Sequence, residues 1–79
     1  MYYVYVLRSI KDGKRYIGLT GDIERRRREH NLGMVKSTKK RLPMELIYCE
    51  EYQNKREAML REKFLKTGKG REWMKINNT

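Results

Sequence analysis

The sequence predicts a small α/β domain of the α+β kind, in which a three-stranded antiparallel sheet is flanked by helices. Three segments are rich in the aromatic and branched residues that favour strands. Two polar segments follow capping residues and end near glycine, which is typical of helices. With 79 residues the chain has room for one hydrophobic core, so we expect residues 1–79 to form a single domain.

The first two strands are predicted at Tyr2–Ser9 and Lys14–Leu19, and an Asp-Gly turn joins them. An Asp-Gly pair between two such segments is a strong signal for a β-hairpin. Because side chains alternate along a strand, Tyr5 lies on the opposite face from Val4. One tyrosine from each strand, Tyr5 and Tyr16, is therefore placed to point into a shared pocket, while the aliphatic residues build the core.

The first helix is predicted to begin at the capping residue Thr20 and to run to about Asn31. Its body is very polar, and Ile23 is its one firm apolar anchor. Arg26 and His30 are four residues apart and lie close to the Ile23 side of the helix. The face that meets the sheet therefore carries an arginine and the only histidine of the chain.

Three further elements and one loop complete the predicted path. The third helix is short, and we expect it to dock Trp73 and Ile76 onto the body of the domain. Glu62 falls at the edge of the apolar stripe of the preceding helix. In chain order these parts are a basic loop at 33–43, a strand at Met44–Tyr52, a helix from the cap Asn54 to about Thr67, and a short helix at about Gly70–Asn77.

The sequence favours a cytoplasmic location. The single cysteine, Cys49, has no partner for an internal disulfide, and it lies in an apolar run where a buried, inert thiol is expected. No segment approaches the roughly 18 apolar residues of a membrane span. The N-terminus lacks the basic start of a signal peptide and has the character of a strand.

A net charge of +10 is the strongest bulk signal, and the commonest partner for such a charge is a phosphate backbone. General basicity for solubility and binding to anionic membranes are the alternatives. No recognition helix or aromatic stacking motif is present, so we expect readout of nucleic-acid shape rather than sequence. The residues expected to contact nucleic acid are Arg15, Arg25, Lys36, Lys39, Lys40, Arg41, Lys66, Lys69 and Arg71.

The remaining polar residues match the requirements of phosphodiester hydrolysis. That reaction needs a base for water, a cation on the phosphoryl oxygens and help for the leaving oxygen. Two tyrosines, the arginine and histidine of the first helix, and Glu62 supply such groups, and a carboxylate suits a hard cation such as Mg²⁺. Each also has an ordinary explanation: sheet aromatics, a solvated basic face, a helix-end cation and a surface ion pair.

The order of these residues resembles the GIY-YIG nuclease family, whose signature is two tripeptides on adjacent strands. Here the tripeptides are Tyr3-Val4-Tyr5, which has Tyr where the family name has Gly, and Tyr16-Ile17-Gly18. Arg26 and His30 follow at the family spacing, and Glu62 lies on the later helix that carries the family's metal ligand. The resemblance covers nearly the whole chain. Within the family, the chain is similar to the stand-alone bacterial members and to the nuclease domain of the excinuclease C subunit.

The resemblance implies roles for these residues. One of Tyr5 and Tyr16 would act as base on water and the other would orient water or phosphate, with the choice left open. Arg26 would clamp the phosphoryl group, and His30 would carry a proton. Glu62 would hold Mg²⁺ or Mn²⁺, and Gly18 would let the backbone pass closely at the rim of the pocket.

The predicted function is a metal-dependent endonuclease that cuts DNA, selective for structure rather than sequence, in repair or recombination. Branched or flapped DNA is the expected partner, a protein partner would direct targeting, and no membrane is involved. The first alternative is a non-catalytic nucleic-acid-binding module that retains the fold. A basic subunit of a larger repair assembly is a more distant one.

Overall fold

The computed structural model of the chain describes residues 1–79 and contains three strands and three helices. β1 lies in the middle of an antiparallel sheet of order β2-β1-β3, so the predicted fold class is confirmed. None of the helices is both long and apolar enough to cross a lipid bilayer. The elements are β1 (Tyr2–Ser9), β2 (Arg15–Thr20), α1 (Ile23–Asn31), β3 (Met44–Tyr52), α2 (Lys55–Leu65) and α3 (Gly68–Ile76).

The two faces of the sheet bury different side chains, as the alternation along β1 predicts. Val4 and Val6 pack against buried residues of α2 and α3 on one face. Tyr5 and Leu7 lie in a second cluster on the other face, where Ile23 of α1 packs against them. The aliphatic face therefore supplies most of the core, and the face that carries the tyrosines is left for α1 to cover.

The cap of α1 differs from the prediction. Thr20 is the last residue of β2, and its hydroxyl accepts a hydrogen bond from the backbone N–H of Asp22 at 3.1 Å. Asp22 is the cap, and its Oδ1 accepts from the backbone N–H of Arg25, also at 3.1 Å. The prediction of Thr20 was wrong because two capping residues stand two positions apart, and the strand extends through the first of them.

The boundary between α2 and α3 also differs from the prediction. α2 ends at Leu65, and α3 begins at Gly68, two residues before the predicted start. Thr67 caps α3, since its hydroxyl accepts from the backbone N–H of Gly70 at 3.1 Å. Trp73 packs against the core as expected, but Ile76 is 75% exposed and does not dock.

Cys49 is exposed, which corrects the expectation of a buried thiol. It lies on β3, which is an edge strand of the sheet. Neighbouring residues on a strand point to opposite faces, so an apolar run in the sequence does not bury every member of it.

A polar cluster ties α2 to β3 on the aliphatic face. Arg61 of α2 donates from Nε and Nη2 to the Glu50 carboxylate, each at 3.0 Å, and its guanidinium lies 4.5 Å from the Trp73 ring centroid. The hydroxyls of Tyr48 and Tyr52 also donate to Glu50. Burial opposes ionisation of this carboxyl, but these hydrogen bonds outweigh it and hold the pKa of Glu50 below its usual range. The cluster fixes how α2 sits on the sheet.

Candidate active site

Tyr5 and Tyr16 lie side by side because of the register of the hairpin. Leu7 pairs with Tyr16 and Tyr5 pairs with Gly18, so both tyrosines point to the same face of the sheet. Their ring centroids are 6.3 Å apart. The Tyr5 ring lies directly over Gly18, where a Cβ atom would overlap the Tyr5 hydroxyl and come within 2.9 Å of Cε1. The absence of a side chain at Gly18 is therefore what makes room for the Tyr5 phenol.

His30 lies at the end of α1, and its ring contacts both Tyr5 and Tyr16. Its side chain is fully buried, and Nε2 is 3.0 Å from the Tyr5 hydroxyl oxygen. Its ring also meets Tyr16 edge-on, with centroids 4.9 Å apart. The other ring nitrogen, Nδ1, is 2.8 Å from Oγ1 of Thr38, which is itself fully buried. His30 is thus fixed through both nitrogens and differs from an exposed helix-end cation.

Arg26 connects this buried group to the surface. Its Nε donates to the Tyr5 hydroxyl oxygen at 3.4 Å, and Nη1 donates to Oε1 of Glu29 at 3.1 Å. The Arg26 side chain keeps 35% of its surface exposed. It also lines an open polar cleft of about 370 Å³ between the end of β2 and α1, together with Arg25 and Glu29. The guanidinium is therefore both held in place and available to an anion.

Burial sets the protonation states of the inner residues. Burial raises the pKa of Tyr5, although the hydrogen bond from Arg26 acts in the opposite direction. Burial lowers the pKa of His30, and the nearby charge of Arg26 lowers it further. The hydrogen bond to Tyr5 raises the pKa of Arg26. At neutral pH the pocket therefore holds a neutral phenol, a neutral imidazole and a charged guanidinium.

Glu62 lies on α2 and supplies a second carboxylate near this group, besides Glu29. Its charge raises the pKa of Tyr5, so the two side chains are within electrostatic range of each other. The side chain is 24% exposed, and Oε2 accepts from Nζ of Lys66 at 3.3 Å. The surface ion pair that is the ordinary explanation for Glu62 is therefore present, but the side chain is not extended into open solvent.

The donor set fits a Mg²⁺ ion that is held by one carboxylate. No group of three His, Cys, Asp or Glu side chains converges anywhere in the chain, so the protein does not offer a site built wholly from ligands of these types. Mg²⁺ commonly keeps several waters and binds through one or two carboxylates together with phosphate oxygens of the substrate. Glu62 is the residue that would hold such an ion here.

The predicted nucleic-acid contacts divide into free and engaged residues. Arg41 is half-buried, with Nε 3.4 Å from Oδ2 of Asp12, and Arg15 donates from Nε to the carbonyl of Thr79 at 2.7 Å. Arg25 bonds Glu29 and faces the cleft beside Arg26. Lys66 forms an ion pair with Glu62. The remaining members of the set, Lys36, Lys39, Lys40, Lys69 and Arg71, are exposed.

Sequence reasoning missed Thr38. The residue lies in the basic loop at 33–43, where nothing in the local pattern distinguishes it from the exposed Ser37 beside it. Its burial and its bond to His30 arise from the way the loop folds back over the end of α1. Glu29, which holds Arg26, is an ordinary helix neighbour three residues away and was available from spacing alone.

The chain is similar to known proteins over nearly its whole length. A model of the GIY-YIG catalytic domain matches residues 1–77. A UPF0213 protein of Clostridium perfringens is 45% identical over 67 residues, which are 84% of this chain and 71% of that protein. A UPF0213 protein of Staphylococcus saprophyticus is 40% identical over 76 residues, covering 95% of this chain and 92% of that protein.

A solved structure gives the same fold. The solution NMR structure of a UPF0213 protein of Bacillus halodurans aligns with a TM-score of 0.57 at 36% identity, covering 94% of this chain and 82% of that one. The family match spans the two strands that carry the tyrosines, the helix of Arg26 and the helix of Glu62. This chain therefore belongs to the GIY-YIG nuclease family and is related to its UPF0213 members.

Proposed function

We propose that this domain is a Mg²⁺-dependent endonuclease that hydrolyses DNA phosphodiester bonds, with preference for DNA structure rather than sequence. Membership of the family implies nuclease activity in general. The observation that carries the more specific proposal is the arrangement around Tyr5. Arg26 is half-exposed above a buried Tyr5 and His30, Tyr16 lies beside them, and Glu62 is within electrostatic range.

Arg26 is the group that binds the scissile phosphate. It carries a permanent positive charge, and its partly exposed side chain lines the cleft beside β2. The bonds to Tyr5 and Glu29 restrict its rotation, so little further ordering is needed when an anion binds. A guanidinium held in this way stabilises the negative charge that develops on the phosphoryl oxygens.

Tyr16 is the phenol that meets the attacking water. Tyr5 is 1% exposed, its oxygen is bonded to His30 and Arg26, and burial raises its pKa. These features make Tyr5 a poor base and a good support for Arg26. Tyr16 is only partly buried and shows no hydrogen bond from its hydroxyl, so that oxygen is open to a water molecule.

The reaction then follows from these positions. Tyr16 first gives its hydroxyl proton to solvent. A water oxygen then bonds to phosphorus, the water proton passes to the Tyr16 phenolate oxygen, and the bond from phosphorus to the leaving oxygen breaks. Solvent returns a proton to that leaving oxygen. A bound Mg²⁺, held by Glu62, would supply positive charge to the phosphoryl oxygens and to nearby water.

DNA as substrate is supported by the distribution of charge. The chain carries a net charge of +10, and Lys36, Lys39 and Lys40 lie exposed on the loop that also carries Thr38. Exposed lysines bind phosphates regardless of the base sequence, and such binding weakens with salt. The same proposal includes a preference for branched or flapped DNA and a role in DNA repair. It also includes a protein partner that directs the domain to its substrate.

The test is cleavage of plasmid and branched DNA with and without Mg²⁺. We expect Tyr16→Phe to lower the rate by about a hundredfold or more, as loss of a proton-transfer group does. Glu62→Gln should also lower the rate strongly, because a neutral amide is a poor ligand for Mg²⁺. Tyr2→Phe removes a phenol from the other face of the sheet, and Glu57→Gln removes an exposed carboxylate from α2, so both should cut normally.

The outcomes separate the alternatives. Equal nicking by all variants would identify a contaminating nuclease and remove the proposal. Equal DNA binding by all variants, with no cleavage under any condition, would establish the non-catalytic binding module instead. Parallel assays on flaps, forks, single strands and RNA decide the substrate class.

A further inference from the structure

Thr38 is the only loop residue that contacts the buried pocket through a hydrogen bond to a ring nitrogen. It is fully buried, although its neighbours Ser37 and Lys39 are exposed. The loop around it is held by the backbone, since Thr38 N–H donates to Val35 at 3.1 Å and its carbonyl accepts from Arg41 N–H at 2.8 Å. The position of its hydroxyl is therefore set by the fold of the loop.

The hydrogen bonds of the pocket decide which nitrogen of His30 carries the proton. Arg26 Nε is always a donor, so it occupies an acceptor position on the Tyr5 hydroxyl. The neutral phenol has one proton left to donate, and His30 Nε2 at 3.0 Å is its one remaining partner. If Nε2 accepts, Nδ1 must carry the imidazole proton and donate it to Thr38 Oγ1 at 2.8 Å.

The opposite tautomer is less favourable. With the proton on Nε2, the imidazole would donate to Tyr5, and the buried phenol proton would have no acceptor. A phenol is a stronger acid than an alcohol and hence the better donor, so an unpaired Tyr5 hydroxyl costs more than an unpaired Thr38 hydroxyl. The chain of donors therefore runs from Arg26 through Tyr5 and His30 to Thr38.

We propose that Thr38 is a positioning residue that accepts the Nδ1 proton of His30 and so fixes its tautomer, the Tyr5 phenol and the Arg26 guanidinium for phosphodiester cleavage. The part of this proposal that concerns cleavage rests on the proposed nuclease function. Thr38 touches neither the cleft nor the substrate in this role. It acts through His30 and Tyr5, and it makes the basic loop a structural part of the site.

The tautomer can be measured without any cleavage assay. His30 is the only histidine, so untagged, ¹⁵N-labelled protein gives a single imidazole in long-range ¹H–¹⁵N correlation spectra. We expect the Nδ1–H tautomer in the wild type, in Thr38→Ser and in the matched control Ser37→Ala. Thr38→Val keeps the shape of the side chain but removes the acceptor, and it should shift His30 to the Nε2–H form or to a mixture.

Cleavage assays test whether the bond from Thr38 to His30 matters for the reaction. We expect Thr38→Val to lower kcat by about tenfold with little change in KM, which corresponds to the loss of one buried hydrogen bond, while Thr38→Ser restores the rate. Circular dichroism confirms that each variant is folded, and Thr38→Ala replaces Thr38→Val if the latter is not.

An Nε2–H tautomer in the wild type, or an unchanged tautomer in Thr38→Val, would overturn the assignment of Thr38. A shifted tautomer with an unchanged kcat would overturn its part in the reaction. If the wild type cuts no nucleic acid, the nuclease proposal fails, and the spectra still decide whether Thr38 fixes the tautomer.

Discussion

Gly18→Ala tests whether the site depends on the contact between the two strands of the hairpin. An added Cβ would overlap the Tyr5 hydroxyl and Cζ, and the Tyr5 ring cannot move aside freely because it is 1% exposed and bounded by His30 and Tyr16. Overpacking of this kind costs about 1–3 kcal/mol. A displaced phenol also leaves a buried imidazole nitrogen unpaired, which adds about 1–3 kcal/mol.

We therefore expect Gly18→Ala to lower the free energy of unfolding by about 3 kcal/mol, which is a large part of the stability of a domain of this size. Urea denaturation followed by circular dichroism measures this loss. Gly21→Ala is the matched control, because a Cβ there meets nothing nearer than the Met1 carbonyl at 4.0 Å.

A double-mutant cycle isolates the cause. Tyr5→Leu removes the phenol atoms that the added Cβ would meet, so in that background Gly18→Ala should cost less than about 1 kcal/mol. If Gly18→Ala is as stable as the wild type, or if its cost is the same in both backgrounds, the steric argument for Gly18 is wrong. The Tyr5 ring would then have room that the structure does not show.

Three further predictions concern charge. Because burial lowers the pKa of His30, the unfolded chain takes up its proton first, so stability should fall as the pH drops below about 6.5, by at most about 1.4 kcal/mol per pH unit. Urea denaturation at pH values from 7 to 5 measures this loss. The free energy of unfolding of His30→Gln should stay constant over that range. Replacing the Lys39–Lys40 pair by alanines should reduce the slope of log K for DNA against log salt by about 2, and an unchanged slope would exclude phosphate contacts there. Glu50→Ala should cost about 3 kcal/mol, because it leaves the Arg61 guanidinium partly buried without its partner, whereas the exposed Glu51→Ala should cost little, and equal losses would contradict the role of this cluster.

Local sequence determines most of the secondary structure. Alternation and the Asp-Gly turn specify the first two strands, and the predicted ends of β1 and β3 are the observed ones. β2 begins and ends one residue later than predicted, and the larger errors lie where two local signals compete. Thr20 and Asp22 are both capping residues, and Thr67 and Gly68 read equally well as the end of one helix or the start of the next.

The candidate site is only partly determined in this way. Alternation places Tyr5 on the face opposite the aliphatic core, and helical spacing places Arg26 and His30 together. That these groups bond to one another depends on strand register and on how α1 crosses the sheet. These are long-range contacts, between residues 21 and 25 positions apart.

By itself, the sequence determined that this chain forms an antiparallel hairpin sheet with helices and carries two tyrosines, an arginine, a histidine and a glutamate in an order that resembles the GIY-YIG nuclease family. Tertiary structure alone decided which of them are buried. It placed Tyr5 and His30 inside, left Arg26 half-exposed, and brought Thr38 from a basic loop onto His30. The physical reason is that periodicity fixes which face a side chain occupies, whereas burial and hydrogen-bond partners depend on segments that are distant in the chain.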